Sequence, residues 1–135
     1  MKNITSLILV LALASCSPKK EAEANESNEW KELDSFHTIM ADAFHPYKDS
    51  SNLAPAKSLA KAMADEAGKW ASSTLPEKVN NDDMKTKLQK LNEGSKGFLK
   101  LTGESVPDSV VGKSLTELHD LFHEIQEGWY SGGKE

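Results

Sequence analysis

An all-α fold, an up-down-up-down antiparallel four-helix bundle, is predicted by three features of this 135-residue chain. Apolar residues recur every three or four positions through four separate stretches. The segments between them are short and rich in Pro, Gly, Asn, Asp and Ser, and none reads as a strand. Helices of roughly 18 to 22 residues joined by short loops make consecutive helices antiparallel, so the first and last become neighbours.

The first helix is predicted over about residues 27 to 45, with Trp30, Leu33, Phe36, His37, Met40 and Phe44, then Tyr47, on one stripe. Pro46 and the Asp49-Ser-Ser-Asn52 run are expected to end it. The second opens with Asn52 as a cap and Pro55 in its first turn, then presents Leu59, Met63, Ala67 and Trp70. Alanine covers much of its remaining face, which permits close helix approach. Leu75-Pro76 breaks it. Asn81 with Asp82 and Asp83 gives the third helix a capped, acidic start, followed by Met84, Leu88, Leu91, Phe98 and Leu101, with Gly94 and Gly97 reading as interruptions. Val106-Pro107-Asp108 is the expected entry to a fourth helix, with Val111, Leu115, Leu118, Phe122, Ile125 and Trp129 inward. Ser131-Gly132-Gly133 stops it.

Ahead of the helices, Lys2 and the apolar run of residues 4–14 form a secretion signal too short and too early for an ordinary membrane span. The run ends in Leu13-Ala14-Ser15-Cys16, which resembles the bacterial lipobox, where the cysteine is acylated and becomes the first residue of the mature protein. That resemblance implies a lipid anchor on Cys16, a membrane as partner and a location in the cell envelope, facing the periplasm or the exterior. Acyl chains contribute roughly 0.8 kcal/mol per buried CH₂, so two or three hold a protein stably. Residues 17–28 have no large apolar side chain and read as a tether. The expected organisation is a signal over 1–15, lipidated cysteine and tether over 16–28, a bundle over 29–130, and a tail over 131–135.

Composition narrows the function. Removing Lys2 with the signal leaves 15 basic residues from the 16 Lys and Arg, against 21 acidic ones, so the formal charge moves from −5 to −6. Every basic residue is lysine, which supports neither bidentate phosphate recognition nor nucleic-acid binding. Cys16 is the sole cysteine, so an internal disulfide is excluded. No nucleophilic triad or Gly-rich phosphate loop is visible, and an enzyme is not expected.

Attention then falls on the four histidines. His119 and His123, in Leu118-His-Asp-Leu-Phe-His123, are spaced i,i+4 and share one helical face. At 100° per residue they lie roughly 80° to 120° to one side of the apolar stripe. In the first helix His37 lies close to the stripe and His45 on its flank, displaced in the same rotational direction as the helix-four pair, so the two sets point either toward each other or both away. Mid-helix His37 stands level with Leu118 to Phe122, and His45 lies about 12 Å further along. A metal site would draw its ligands in the order His119, His123, His37, His45, and three or four imidazoles suit Zn²⁺ or Cu²⁺. Asp120 and Glu124 are at hand as ligands or as acceptors for an imidazole N–H. The alternative places the histidines as ordinary surface and boundary residues. Met40, Met63 and Met84 lie on three different helices at core spacing and read as packing.

The aromatic, methionine-bearing first helix, the alanine-rich second helix before Leu-Pro, and Phe122-His123 on the fourth together resemble the cytochrome b562 and cytochrome c′ superfamily of periplasmic four-helix bundles. In that superfamily a tyrosine-histidine dipeptide at the Phe122-His123 position supplies a haem ligand. The chain lacks the CxxCH attachment motif, so covalent haem is excluded on that resemblance. A b-type haem held by His123 with His37 or Met40 stays open. The leading expectation is an envelope lipoprotein that binds a Zn or Cu ion for buffering, sensing or delivery. A non-enzymatic module that docks an envelope protein or a second copy of the chain is the alternative, with a b-type haem electron carrier third.

Overall fold

The computed structural model describes residues 29–132, and among them are four α-helices, one 3-10 turn and no strand. The signal, Cys16, the tether and the last three residues of the expected tail lie outside the described residues. Helices α1 (Lys31–Ser50), α2 (Ala54–Ser72), α3 (Asp82–Thr102) and α4 (Asp108–Tyr130) pack each against the next, and α4 closes on α1. This is the antiparallel four-helix bundle. The α2–α3 seam is the most intimate and the α1–α4 seam the slackest. No helix among the described residues is long and apolar enough to cross a membrane.

Each helix buries most of the stripe its periodicity marks, but His37, expected on the α1 stripe, is exposed because it falls one position beyond the buried Phe36. Leu33, Phe36, Met40 and Phe44 of α1 meet Met63 and Trp70 of α2, Leu88, Leu91 and Phe98 of α3, and Leu115, Leu118, Phe122 and Ile125 of α4 in one core. In α2, Ala56, Ala60, Ala64 and Ala67 are all buried, so the neighbouring helices can come close to its backbone. One end of the bundle is closed by Trp30, whose ring meets Trp70 edge-on at 5.0 Å and Trp129 at 5.3 Å. The Lys78 ammonium, on the 3-10 turn Glu77–Val79, sits 3.2 Å over the Trp129 ring and caps that end.

Helix α3 begins as its local sequence dictates. The Asn81 side chain accepts a hydrogen bond from Met84 N–H at 2.8 Å, and Asp82 and Asp83 occupy the first turn. Asn81→Ala should lower unfolding free energy by about 1 kcal/mol. A denaturation midpoint equal to that of the parent protein would show that the cap contributes nothing.

Two punctuation marks in the sequence behave differently from expectation. Pro46 lies inside α1, which runs one further turn to Ser50. Ser51 then adopts the left-handed conformation at φ 56, while Asn52 N–H bonds back to Pro46 C=O at 3.1 Å and closes the helix. The added turn lays Tyr47 against α4 at Gly112, and this burial offsets the backbone bond that proline cannot make. Gly94 and Gly97 likewise do not interrupt α3. At Gly94 a Cβ would stand 2.8 Å from Leu118 Cδ2, so the missing side chain makes room for the α4 core residue.

Candidate metal centre

On α4 the core positions Leu118 and Phe122 are buried, and the residue following each is a histidine turned toward the edge of the α1–α4 seam. Helical geometry stacks these two one turn apart. The structure makes that proximity a contact: His119 Nε2 and His123 Nε2 are 3.0 Å apart, with ring centroids 4.4 Å apart. His119 is 22% exposed through its side chain, and His123 is exposed.

Helix α1 fixes the inner ring of the pair. Phe44 lies flat on His119 with centroids 3.7 Å apart and planes 13° from parallel. Asp120 Oδ1 stands 3.3 Å from His119 Nδ1, so that nitrogen takes the proton and donates it to the carboxylate. The Nε2 lone pair of His119 is then free to accept from His123 Nε2–H. Burial of the His119 ring lowers its pKa from the ordinary 6.5. The positive charges of His123 and Lys48 push the same way, against the hydrogen bond and charge of Asp120. Burial therefore favours the neutral ring, the state in which imidazole binds metal.

That lowered pKa links stability to pH. The unfolded chain takes up a proton on His119 near 6.5, whereas the folded chain resists until lower pH, so the unfolded state binds more protons in between. The contribution is complete above 6.5 and is lost as pH falls from there through the native pKa. Urea midpoints measured from pH 5 to 7.5 should rise with pH, and His119→Phe, which keeps a ring on Phe44, should flatten the rise. An equally steep profile in that variant would remove His119 as its source.

The other two histidines stand apart from the pair. His37 is exposed and lies on the Phe122 ring at 5.4 Å and 16°, so it reaches the expected height on α4 but meets a phenylalanine. His45, beside Phe44, is exposed. Among the described residues no group of three or more His, Cys, Asp or Glu side chains is arranged to hold a metal ion. The structure thus brings together His119 and His123, with Asp120 orienting the inner ring, and does not bring His37 or His45 to them. Phe44 and Lys48 shape the environment of His119; the sequence marks Phe44 only as a core residue, and no local pattern in it ties either residue to His119.

Two imidazole nitrogens 3.0 Å apart are close enough to serve one metal ion as a pair of ligands. With metal–nitrogen bonds of about 2.0–2.1 Å, a 3.0 Å separation gives an N–metal–N angle of about 91–97°. That matches adjacent corners of a tetragonal Cu²⁺ site. A tetrahedral Zn²⁺ asks for about 3.3 Å, a spreading that small side-chain rotations supply. Metal entry would require the His123 proton to move from Nε2 to Nδ1 and the two Nε2 lone pairs, which meet along the hydrogen bond, to turn toward the ion.

A porphyrin fits less well. It needs a flat slot with axial ligands facing each other across it, but Phe36, Trp70 and Phe122 fill the interior between α1, α2 and α4 with centroid separations of 5.6, 5.7 and 6.3 Å. Met40 is buried in the core, while His123 is on the surface with its Nε2 engaged by His119. Compared with protein-family models, curated proteins and solved structures, the chain finds no match.

Proposed function

We propose that the chain is an envelope lipoprotein, anchored through Cys16, whose bundle binds a transition-metal ion, Cu²⁺ or Zn²⁺, at His119 and His123. The observation that carries this is the 3.0 Å approach of the two Nε2 atoms. A neutral His119 oriented by Asp120 supports it, since a carboxylate on the far nitrogen fixes the tautomer and raises ligand basicity. The neighbouring Asp120 and Glu124, both exposed, favour a divalent cation electrostatically. Such a site buffers, senses or hands on metal, and no catalysis is required of it.

Titration of the purified protein with Zn²⁺ and with Cu²⁺ should show saturable binding that is lost in the double variant His119→Ala, His123→Ala. Circular dichroism of the variant should match that of the parent. Unchanged affinity in the double variant would overturn the metal site. The anchor is tested separately: a labelled fatty acid fed to cells should be incorporated into the parent protein and not into Cys16→Ser, and incorporation into the variant would overturn acylation at Cys16.

A further inference from the structure

We propose that the metal ion held by His119 and His123 is shared between two copies of the chain, four imidazoles around one Zn²⁺ forming the joint of a two-fold dimer, which rests on the metal-binding reading above. The starting point is a ligand deficit. Structural zinc is almost always four-coordinate, and the pair supplies two nitrogens. Among the described residues no third protein ligand joins them. A second copy supplies the missing pair, because a two-fold axis through the ion sets the same two nitrogens opposite themselves.

Geometry favours zinc in this shared site. Residues four apart on a helix lie one above the other, so the line joining the two nitrogens runs nearly along α4. A tetrahedral ion sets the two such lines at right angles. The α4 helices then cross steeply and touch over about one turn around the metal. A square-planar ion would bring the lines into one plane and lay the helices along each other. That would oppose Glu117, Asp120 and Glu124 of one copy to the same residues of the other.

Charge makes the association depend on the metal. Glu117, 68% exposed, is paired with Lys113 at 3.8 Å, so Asp120, 70% exposed, and surface Glu124 are the charges that repel when two metal-free faces meet. A divalent cation at the axis offsets that repulsion and supplies the bonds. If Cys16 is acylated as proposed, copies confined to one membrane surface meet at raised effective concentration.

The test uses the mature chain, residues 16–135, carrying Cys16→Ser, so that neither the signal nor an acyl group contributes to association, with Zn²⁺ as the probe. Sedimentation and zinc uptake are followed on the same samples. The expected result is a doubling of protein mass, saturation at half an equivalent of zinc per chain, reversal by a chelator, and four nitrogen neighbours at about 2.0–2.1 Å in zinc-edge absorption spectra. His123→Ala, a change at an exposed position, should stay monomeric and lose more than the about 10–100-fold in affinity that removal of an outer-shell partner costs. Saturation at one equivalent with the chain still monomeric would overturn the shared site and leave the metal site standing. Absence of zinc uptake would overturn both. A dimer that forms without zinc, or that persists in His123→Ala, would also overturn the shared site.

Discussion

Phe122→Ala should destabilise the bundle by about 3–5 kcal/mol, read as a lower urea midpoint at unchanged denaturant slope. Phe122 is fully buried where three helices meet. Its ring lies 5.6 Å from Phe36 and 5.4 Å from His37 on α1, 6.3 Å from Trp70 on α2, and 5.7 Å from His123 on its own helix. Truncation removes the transfer free energy of the ring and leaves a void lined by other large rings, which cannot turn inward without breaking their own contacts. Val110→Ala on the same helix, 44% exposed, provides the comparison and should change stability by no more than about 0.5 kcal/mol. A loss below about 1 kcal/mol for Phe122→Ala would mean that the slack α1–α4 seam closes over the void.

Gly112→Ala and Gly97→Ala should move stability in opposite directions. In a helix interior alanine is favoured over glycine by roughly 1 kcal/mol, because glycine surrenders more backbone freedom on folding. At Gly97 a Cβ meets nothing within 4 Å, so the substitution should stabilise by about 0.5–1 kcal/mol. At Gly112 the same methyl would stand 2.6 Å from Tyr47 Cζ and 2.7 Å from Cε2, well inside van der Waals contact. Either Tyr47 leaves its place or α1 and α4 separate, and the expected loss is about 1–3 kcal/mol. Pairing Gly112→Ala with Tyr47→Ala should recover part of it, and the coupling measured in that double-mutant cycle tests the cause. Stabilisation by Gly112→Ala alone would show that Tyr47 does not rest on that helix in solution.

The contrast between these two glycines shows where sequence information stops. Sequence states the backbone cost of every glycine but not what lies opposite it, so Gly94 reads as a weakness in α3 when its function is to admit Leu118. Local signals transfer well. Asn81 caps α3 because its side chain needs only its own next turn, and Leu118, Phe122 and Ile125 go inward because helical periodicity alone aligns them. The His119–His123 contact belongs to the same class, set by i,i+4 spacing within one helix. His37 and His45 do not. Their relation to α4 depends on the rotation and stagger of α1, which are fixed by Phe44 on His119 and Tyr47 on Gly112. Those are packing facts between distant parts of the chain. Pro46 misleads for the same reason, because the turn beyond it persists through its tertiary contact.

The near-parallel stack of Phe44 on His119 has a magnetic consequence as well as a mechanical one. Protons held over the face of a benzene ring lie in its shielding cone, so the imidazole C–H resonances of His119 should be displaced upfield from those of exposed His45. The displacement persists only while α1 and α4 hold their spacing. Those signals therefore report, in one spectrum, the protonation of the inner imidazole, the arrival of a metal at its Nε2, and the closure of the seam on which both depend.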